Sequence, residues 1–290
     1  MAWHFTNRQL SGRKYQWINE MTTAESINHT ISAFNISADS ENKIHDDSIA
    51  KRFGFQGGLV PGVEVYAYMT NPIIQCFGGS WLETGSAECK FIKPVYDGEQ
   101  TQVTAVKNNN SELSIEVTTP TNFCAQGKAR IEKIEEIPNS SDYVSVPSPD
   151  FDSRPEASPN SLKKGKLLGT FQQLMTEEDQ YKYLLDIREN QTIYKNEKIV
   201  HPGWLLRMAN KALSTNVKLG PWIHVGSKIQ NFNVARYGET LSTQTSISNS
   251  YENKGHLFVE MDVKILKGVK YLTQISHTAI YRPRQVIPTQ

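Results

Sequence analysis

His45 and the two aspartates that follow it are residue types that could do acid and base chemistry. The stretch reads "HDDSIAKRFGFQGGLVPG" over residues 45–62. A histidine and a carboxylate that share one water can remove a proton from it and deliver a proton elsewhere. A helix beginning after Pro61 would also present unpaired backbone N–H groups and the positive end of its dipole. Such groups can stabilise an oxygen that gains negative charge, so residues 45–62 are a candidate catalytic site.

The same stretch also fits a purely structural role. Residues 45–53 can form a short helix whose first turn is favoured by Asp46 and Asp47, with His45 left at the surface. Gly57 and Gly58 are typical turn residues, and proline is compatible with a helix start. The sequence leaves both interpretations of His45 open.

A second candidate comes from an internal repeat. Pro61-Gly62 recurs as Pro202-Gly203, at an offset of 141 residues. Other pairs at the same offset are Gly79-Ser80-Trp81 with Gly220-Pro221-Trp222, Gly85-Ser86 with Gly226-Ser227, Phe91 with Phe232, and Tyr96 with Tyr237. An ordered series of glycines and aromatics predicts two copies of one fold. In this alignment His201 stands where the first copy has Val60, and Gly203 and Trp204 follow it at the helix start.

His201 has two interpretations. It can take part in substrate binding together with Gly203 and Trp204, or it can be a positioning histidine at a helix mouth, which the sequence favours. Nearby Asp186, Glu189 and Tyr194 are possible partners for its ring.

The sequence pattern of each half predicts one apolar helix followed by about four antiparallel strands. Downstream of Gly203, five apolar residues fall at helical spacing, namely Leu205, Met208, Ala209, Ala212 and Leu213. The run after Gly62, "VEVYAYMTNPIIQCF", is also apolar, and Pro72 is expected to end or kink that helix within about three turns. "ELSIEVTT" and "HLFVEMDVKI" alternate apolar and polar residues, which predicts strands with one wet face. This order predicts an α+β fold in which each half is an antiparallel sheet wrapped around a central apolar helix.

The domain limits are suggested by composition. Residues 136–166 hold five of the 13 prolines and seven serines, which is typical of a linker. The prediction is an N-terminal domain at residues 1–135, a Pro/Ser-rich linker at 136–166 and a C-terminal domain at 167–290.

The sequence resembles the MaoC-like hydratase/dehydratase group of the hot-dog fold. The pattern of that group is D-x-N-P-[IL]-H-x-D, then A-x-x-x-G-F, then [IV]-H-G at the start of the helix. Here "DSENKIHDD", "AKRFGF" and "LVPG" stand at these places, and "FIKPVYDGEQTQV" resembles the later F-x-x-P-V-x-x-G-D segment. In the second half "IVHPGWLLRMANKAL" and "FNVARYGETLSTQT" echo the same two places. The resemblance covers roughly residues 25–132 and 170–282, and it implies a double hot-dog fold.

The chain departs from the family pattern at specific positions. Five residues before His45, where the family has its catalytic aspartate, stands Ser40, and Asp39 lies one residue further back. Two alternatives stay open: a one-residue bulge brings Asp39 into place, or the Asp-His pair is lost in this chain. Lys43 replaces the family proline, and Pro61 replaces the histidine of [IV]-H-G.

The resemblance implies an enzyme of acyl thioesters, most simply a lyase such as an (R)-specific enoyl-CoA hydratase or 3-hydroxyacyl dehydratase. His45 would then be the general acid or base, with Asp39 or Asp47 as its carboxylate. Gly62 and Val63, with Pro61 before them, would form the site for the thioester oxygen. Two alternatives stay open: a thioesterase that uses a carboxylate such as Glu64, and a protein that binds an acyl or small apolar ligand without catalysis.

The predictions for partners and cofactors depend mainly on the absence of a charge excess, of long apolar segments and of ligand-binding motifs. Lys and Arg number 31 against 30 Asp and Glu, which argues against a nucleic-acid or anionic-membrane surface. No stretch approaches a membrane span, the N-terminus lacks a signal-peptide core, and the three cysteines lack CxxC spacing, so we expect a cytoplasmic protein with reduced thiols. The histidines lack metal-ligand spacing and no glycine-rich phosphate loop occurs, so neither a metal nor a cofactor is expected. CoA or an acyl carrier is expected only as the thioester carrier of a small-molecule substrate. Pairing of whole chains as a homodimer is left open.

Overall fold

The computed structural model describes residues 25–131, 134, 137 and 144–284. The N-terminal stretch discussed above, part of the linker and the last six residues lie outside the described residues. The helices are α1 (Asp47–Arg52), α2 (Gly62–Phe77), α3 (Gly79–Thr84), α4 (Glu177–Asp186), α5 (Ile193–Asn196) and α6 (Pro202–Ser214). Short 3-10 turns cover Lys43–His45 and Phe151–Ser153.

In the described residues, eleven strands form one antiparallel sheet. They are β1 (Ser26–Ser32), β2 (Gly85–Phe91), β3 (Gln100–Asn109), β4 (Glu112–Thr118), β5 (Phe123–Ile131), β6 (Leu167–Leu168), β7 (Gln172–Leu174), β8 (Ile223–Asn231), β9 (Thr240–Asn253), β10 (His256–Lys267) and β11 (Lys270–Arg282). The order is β1-β3-β4-β5-β2-β8-β11-β10-β9-β6, with β7 paired to β9. The two halves join where β2 pairs with β8, with Glu88 opposite Lys228.

The periodic patterns of the sequence are confirmed as elements. Leu113, Ile115 and Val117 of β4 are buried, as are the alternate apolar residues of β10. The apolar stripe of α6 is buried as well. Alternation with a period of two places every second side chain on the same face of a sheet, so each of these strands has one face in the core.

Helix α2 does not end at Pro72, which was one of the two outcomes expected there. The helix continues past Pro72 to Phe77 and ends at Gly78, which has a φ of 64°. Its residues from Val63 to Ile74 are buried, and it contacts β1, β3, β4, β5, β8 and α6. A proline removes one backbone hydrogen bond from a helix, and burial along most of the helix outweighs that loss.

The repeat is confirmed, but its register at the helix starts is 140 residues, so the alignment at 141 was wrong there. The same hydrogen bond, 2.9 Å long, precedes each helix: Val60 N–H to the Val95 carbonyl, and Val200 N–H to the Ala235 carbonyl. Pro61 and His201 follow these valines and are the N-caps of α2 and α6. His201 therefore corresponds to Pro61 and not to Val60.

The described part of the linker is packed against the protein. Buried Arg154 donates from Nη1 to the Ser214 carbonyl at 2.5 Å, and its Nη2 lies 3.3 Å from Glu41 Oε1. Leu162 is fully buried in the main core. Composition predicts the lack of long elements here but not these contacts, and the domain limits stay a prediction.

Candidate active site

His45 is held at the end of a 3-10 turn by its backbone and its ring. Asn35 Nδ2 donates to the His45 carbonyl at 2.9 Å. The Cα of Gly58 lies against the same carbonyl, so close that a Cβ on Gly58 would be 2.1 Å from the oxygen. Gly58 is thus required by a close approach of two backbone segments, beyond its role as a turn residue.

The protonation of His45 follows from its partners. Nδ1 lies 2.6 Å from the Leu59 carbonyl, and because a carbonyl only accepts, Nδ1 carries the proton and Nε2 is the bare nitrogen. Burial lowers the pKa of His45 to about 4, although the bond to Leu59 acts in the opposite direction. His45 is therefore a neutral imidazole at pH 7, turned into the protein and not out to solvent.

Asn42 ties His45 to the second half. Its Oδ1 accepts the Trp222 N–H at 3.1 Å and its Nδ2 donates to the Trp222 carbonyl at 2.9 Å. These bonds fix the amide so that Nδ2 points at His45 Nε2, 3.2 Å away. The contact is long for a hydrogen bond, so a water could replace it at the ring nitrogen.

The start of α2 is open, whereas the start of α6 is closed. Pro61 makes no side-chain capping bond, and the N–H groups of Gly62 and Val63 belong to the first turn, where a helix has no carbonyl of its own to offer. In α6, by contrast, His201 Nδ1 accepts the Gly203 N–H at 3.0 Å. The α2 terminus is therefore the one that can receive an anionic oxygen.

Two cavities have His45 in their lining. The inner pocket, about 250 Å³, is lined by His45, Gly62, Phe91, Trp222 and His224 among mostly apolar side chains. The outer cleft, about 930 Å³, is lined by Asp39, His45, Glu64, Arg207 and Trp222 among mostly polar ones. Because both include His45, Pro61 and Trp222, a ligand could place an apolar end inside and a polar end outside.

None of the aspartates near His45 makes a hydrogen bond or ion pair with its ring in the described part of the chain. Asp46 caps α1 by accepting the Ile49 N–H at 2.9 Å. Asp47 is exposed and accepts the Gly58 N–H at 2.7 Å. Asp39 is exposed in a turn at the outer cleft. The carboxylate role predicted for Asp39 and Asp47 therefore has no supporting contact, while Asp47 has a clear structural one.

Glu64 is the buried carboxyl of the outer cleft. It lies in the first turn of α2, is 1% exposed, and neither oxygen makes a hydrogen bond with a described residue. Arg207 Nε lies 3.4 Å from its Oε1. Burial raises the pKa of Glu64 to about 7, although Arg207 acts in the opposite direction. A carboxyl that titrates near neutrality is suited to donate or accept a proton at physiological pH.

His201 belongs to a buried network between α2 and α6. Its Nδ1 accepts the Gly203 N–H, while its Nε2 lies 3.3 Å from Glu189 Oε2 and 3.2 Å from Thr70 Oγ1. Burial works to raise the pKa of Glu189, but the bond to His201 and further partners hold that pKa below its ordinary value. His201 is therefore engaged at both nitrogens, as in the positioning interpretation.

Gly203 and Trp204 lie beside this network. A Cβ on Gly203 would be 2.4 Å from Tyr183 Oη, so Gly203 allows close packing of α6. Trp204 makes an edge contact with the Tyr183 ring. Neither residue, nor His201, lines the inner pocket or the outer cleft, and their role in substrate binding stays a prediction without a supporting contact.

His224 is the site residue that the sequence did not single out. It is buried at the start of β8, and its Nδ1 would lie 3.0 Å from a Cβ placed on Gly62. Asn42 stands at the asparagine of the family pattern D-x-N-P-[IL]-H, to which the sequence predictions assign no role. The pattern itself was a signal for Asn42, whereas a lone histidine such as His224 carries no local signal.

Metal and membrane features are absent from what the structure describes. Within residues 25–131 and 144–284, no group of three or more His, Cys, Asp and Glu side chains could hold a metal ion. Over the same ranges no helix combines the length and apolar character of a membrane span.

Comparison with known proteins shows the fold. No protein-family model matches the chain, and no curated protein matches its sequence. A solved structure from Chloroflexus aurantiacus, described as a MaoC domain protein dehydratase, is similar at a TM-score of 0.59 and 10% identity, over 90% of this chain and 95% of that one. A conserved hypothetical protein from Mycobacterium tuberculosis with a double hotdog fold gives 0.58 and 12% identity, over 89% and 96%. A protein described as an oleoyl thioesterase from Lactobacillus plantarum gives 0.50 and 9%, over 92% and 99%. The chain has a double hot-dog fold, the fold of MaoC-like dehydratases.

Proposed function

We propose that the protein acts on acyl thioesters in the manner of MaoC-like enzymes, as an (R)-specific enoyl-CoA hydratase or 3-hydroxyacyl dehydratase. The observation that carries the proposal is the neutral His45 beside the open start of α2, in a mostly apolar pocket that shares His45 with a polar cleft. Each half wraps its sheet around its main helix, and the acyl chain lies in the inner pocket. The CoA or carrier arm leaves through the outer cleft.

The first step in the direction of hydration is the activation of water. A water replaces Asn42 at His45 Nε2, gives that nitrogen a proton, and adds its oxygen to C3 of the enoyl group. The carbonyl oxygen then carries enolate charge, which the first-turn N–H groups of Gly62 and Val63 stabilise. A pocket of apolar side chains strengthens these interactions by excluding bulk water.

The second step is delivery of a proton to C2. Glu64 lies in the same cleft as His45 and, with a pKa of about 7, holds its proton in a large fraction of molecules near neutral pH. In this scheme the Glu64 carboxyl protonates C2, and the proton on His45 returns to Glu64 through water. The carboxyl role predicted for Asp39 and Asp47 is thereby assigned to Glu64.

The test is hydration of crotonyl-CoA, followed by loss of the enoyl absorbance. Removing a general acid or base costs about 10²- to 10⁴-fold, so His45→Ala and Glu64→Gln should each lose at least about 100-fold. Asp39→Asn serves as the matched control and should stay within about threefold of the wild type. A wild type without turnover, or a His45→Ala variant equal to it, contradicts the assignment.

A thioesterase is the second candidate, and Glu64 is the observation that favours it. Ionised Glu64 could activate water for attack on the thioester carbonyl instead of on C3. Release of free thiol from a panel of acyl-CoAs separates the two reactions, because hydration leaves the thioester intact. Thiol release that Glu64→Gln abolishes and His45→Ala leaves unchanged would select the thioesterase. Ligand-dependent thermal stabilisation without either product would indicate a binding protein.

A further inference from the structure

His224 comes from the second half but faces the helix start of the first. It is 6% exposed, and its ring makes an edge contact with Phe91 at 4.9 Å between centroids. A Cβ on Gly62 would lie 3.0 Å from His224 Nδ1 and 2.9 Å from Phe91 Cε2. Because Gly62 has no side chain, the two rings can approach the helix start this closely, and an oxygen bound by the first-turn N–H groups would lie beside Nδ1.

Nδ1 of His224 is unpaired, whereas its other nitrogen is not. Nδ1 makes no hydrogen bond with any residue that the structure describes. Nε2 lies 2.9 Å from Ser227 Oγ, which in turn lies 3.0 Å from His277 Nδ1. A buried polar atom without a partner is rare in a folded protein, and one aimed at a ligand pocket points to a ligand group that pairs with it.

The chain of hydrogen bonds constrains which nitrogens carry protons. Ser227 Oγ has one proton, so when it donates to one imidazole it accepts from the other. If His224 donates to Ser227, the unpaired N–H falls on His277 Nε2, and that residue is only 1% exposed. If His277 donates instead, the unpaired N–H falls on His224 Nδ1, at the pocket. In the second arrangement the unpaired N–H belongs to a residue that lines the inner pocket, where a ligand oxygen can accept from it.

We propose that His224 Nδ1–H is a third donor to the thioester carbonyl oxygen, beside the N–H groups of Gly62 and Val63. The inference rests on the proposed function and deepens it, since it makes the second half contribute directly to the site. Burial, together with the neighbouring His277, holds the pKa of His224 well below its ordinary value. A neutral imidazole can donate this hydrogen bond without giving up its proton, so His224 is a hydrogen-bond donor and not a general acid.

The experiment reads the carbonyl directly. The ligand is a dethia analogue of butyryl-CoA, in which a methylene replaces the sulfur, with ¹³C at the carbonyl, and it can be neither hydrated nor hydrolysed. Its carbonyl stretch in infrared difference spectra should fall on binding to the wild type. His224→Leu should move the band back toward that of the free ligand, while His224→Asn, which keeps an amide N–H near the place of Nδ1, should retain most of the shift. Melting temperatures check that both variants fold.

Turnover gives a second and separable readout. Loss of one oxyanion donor typically costs about 10²- to 10³-fold in kcat, so His224→Leu should lose about that much crotonyl-CoA hydration, with KM changed by less than about threefold. A wild-type band shift that His224→Leu leaves unchanged, or no binding of the analogue at all, overturns the assignment. Hydration that proceeds with such an unchanged shift refutes the His224 role and leaves the proposed function standing. A His224-dependent shift without any hydration supports the donor and refutes the hydratase.

Discussion

Replacing Gly58 with alanine should displace His45 without removing any side chain from the pocket. The new Cβ would lie 2.1 Å from the His45 carbonyl oxygen and 2.7 Å from its carbon. Observed Cβ contacts essentially never fall below 3.0 Å, so the two backbone segments must separate by about 0.9 Å. The clash is with backbone atoms, which cannot rotate away as a side chain would.

The expected cost has two parts. Overpacking of a close contact typically destabilises a protein by about 1–3 kcal/mol, so the melting temperature should fall by several degrees. A catalytic group misplaced by about 1 Å can lose about 100-fold in rate, so hydration of crotonyl-CoA should fall by about that factor. Differential scanning fluorimetry and the enoyl absorbance assay measure the two effects.

Gly57→Ala is the matched control. Its Cβ would lie 2.9 Å from Asp47 Oδ1, the far end of an exposed side chain. That carboxylate can rotate, although it also accepts the Gly58 N–H, so a small loss of stability and nearly full activity are expected. A Gly58→Ala variant as stable and active as Gly57→Ala would refute the idea that this close approach positions His45.

Three further perturbations test the buried titratable groups Glu64, His45 and His201. Glu64 has a folded pKa of about 7, above its ordinary 4.5, so its burial disfavours the folded state increasingly as pH rises through that interval. Glu64→Gln should thus stabilise the protein at pH 8 by up to about 3 kcal/mol and have little effect near pH 4.5, which urea denaturation at the two pH values measures. His45 has a folded pKa of about 4, below its ordinary 6.5, so its contribution to stability is complete above pH 6.5 and is lost as pH falls toward 4. His45→Gln should flatten that part of the stability profile, and an unchanged profile would contradict the burial of a neutral ring. His201→Ala removes a helix cap and a partner of buried Glu189, so it should lower the free energy of unfolding by about 2–4 kcal/mol. His201→Asn should recover the cap. Equal melting temperatures for His201→Ala and the wild type would contradict the network.

Local sequence predicts much of the architecture because periodicity is local information. The alternation in β4 and β10 and the stripe in α6 each lie within one element, and all three are present. The tandem hot-dog prediction agrees with the observed fold. The one-residue error in the repeat arose because identical Pro-Gly pairs were aligned, whereas the backbone aligns the helix N-caps, Pro61 and His201.

For the candidate site too, the local sequence predicted some residues correctly and not others. The chain's own pattern places His45 and a glycine helix start near each other, and the structure puts both at the inner pocket. The aspartates adjacent to His45 were natural candidates for its carboxylate, but the ends of short helices and turns need acceptors, and Asp46 and Asp47 bind backbone N–H groups there. Proximity along the chain therefore gave no measure of proximity between functional groups.

The sequence by itself indicates two copies of one fold, the periodic elements β4, β10 and α6, the Pro61-Gly62 helix start and the presence of His45 before it. Only the tertiary structure decides what surrounds that start. Asn42 meets Trp222 across 180 residues of chain, His224 closes over Gly62 from the other half, and burial moves the pKa of Glu64 toward neutrality. The physical reason is that burial and hydrogen-bond partners depend on how the two halves pack together, and no pattern within either half encodes that packing.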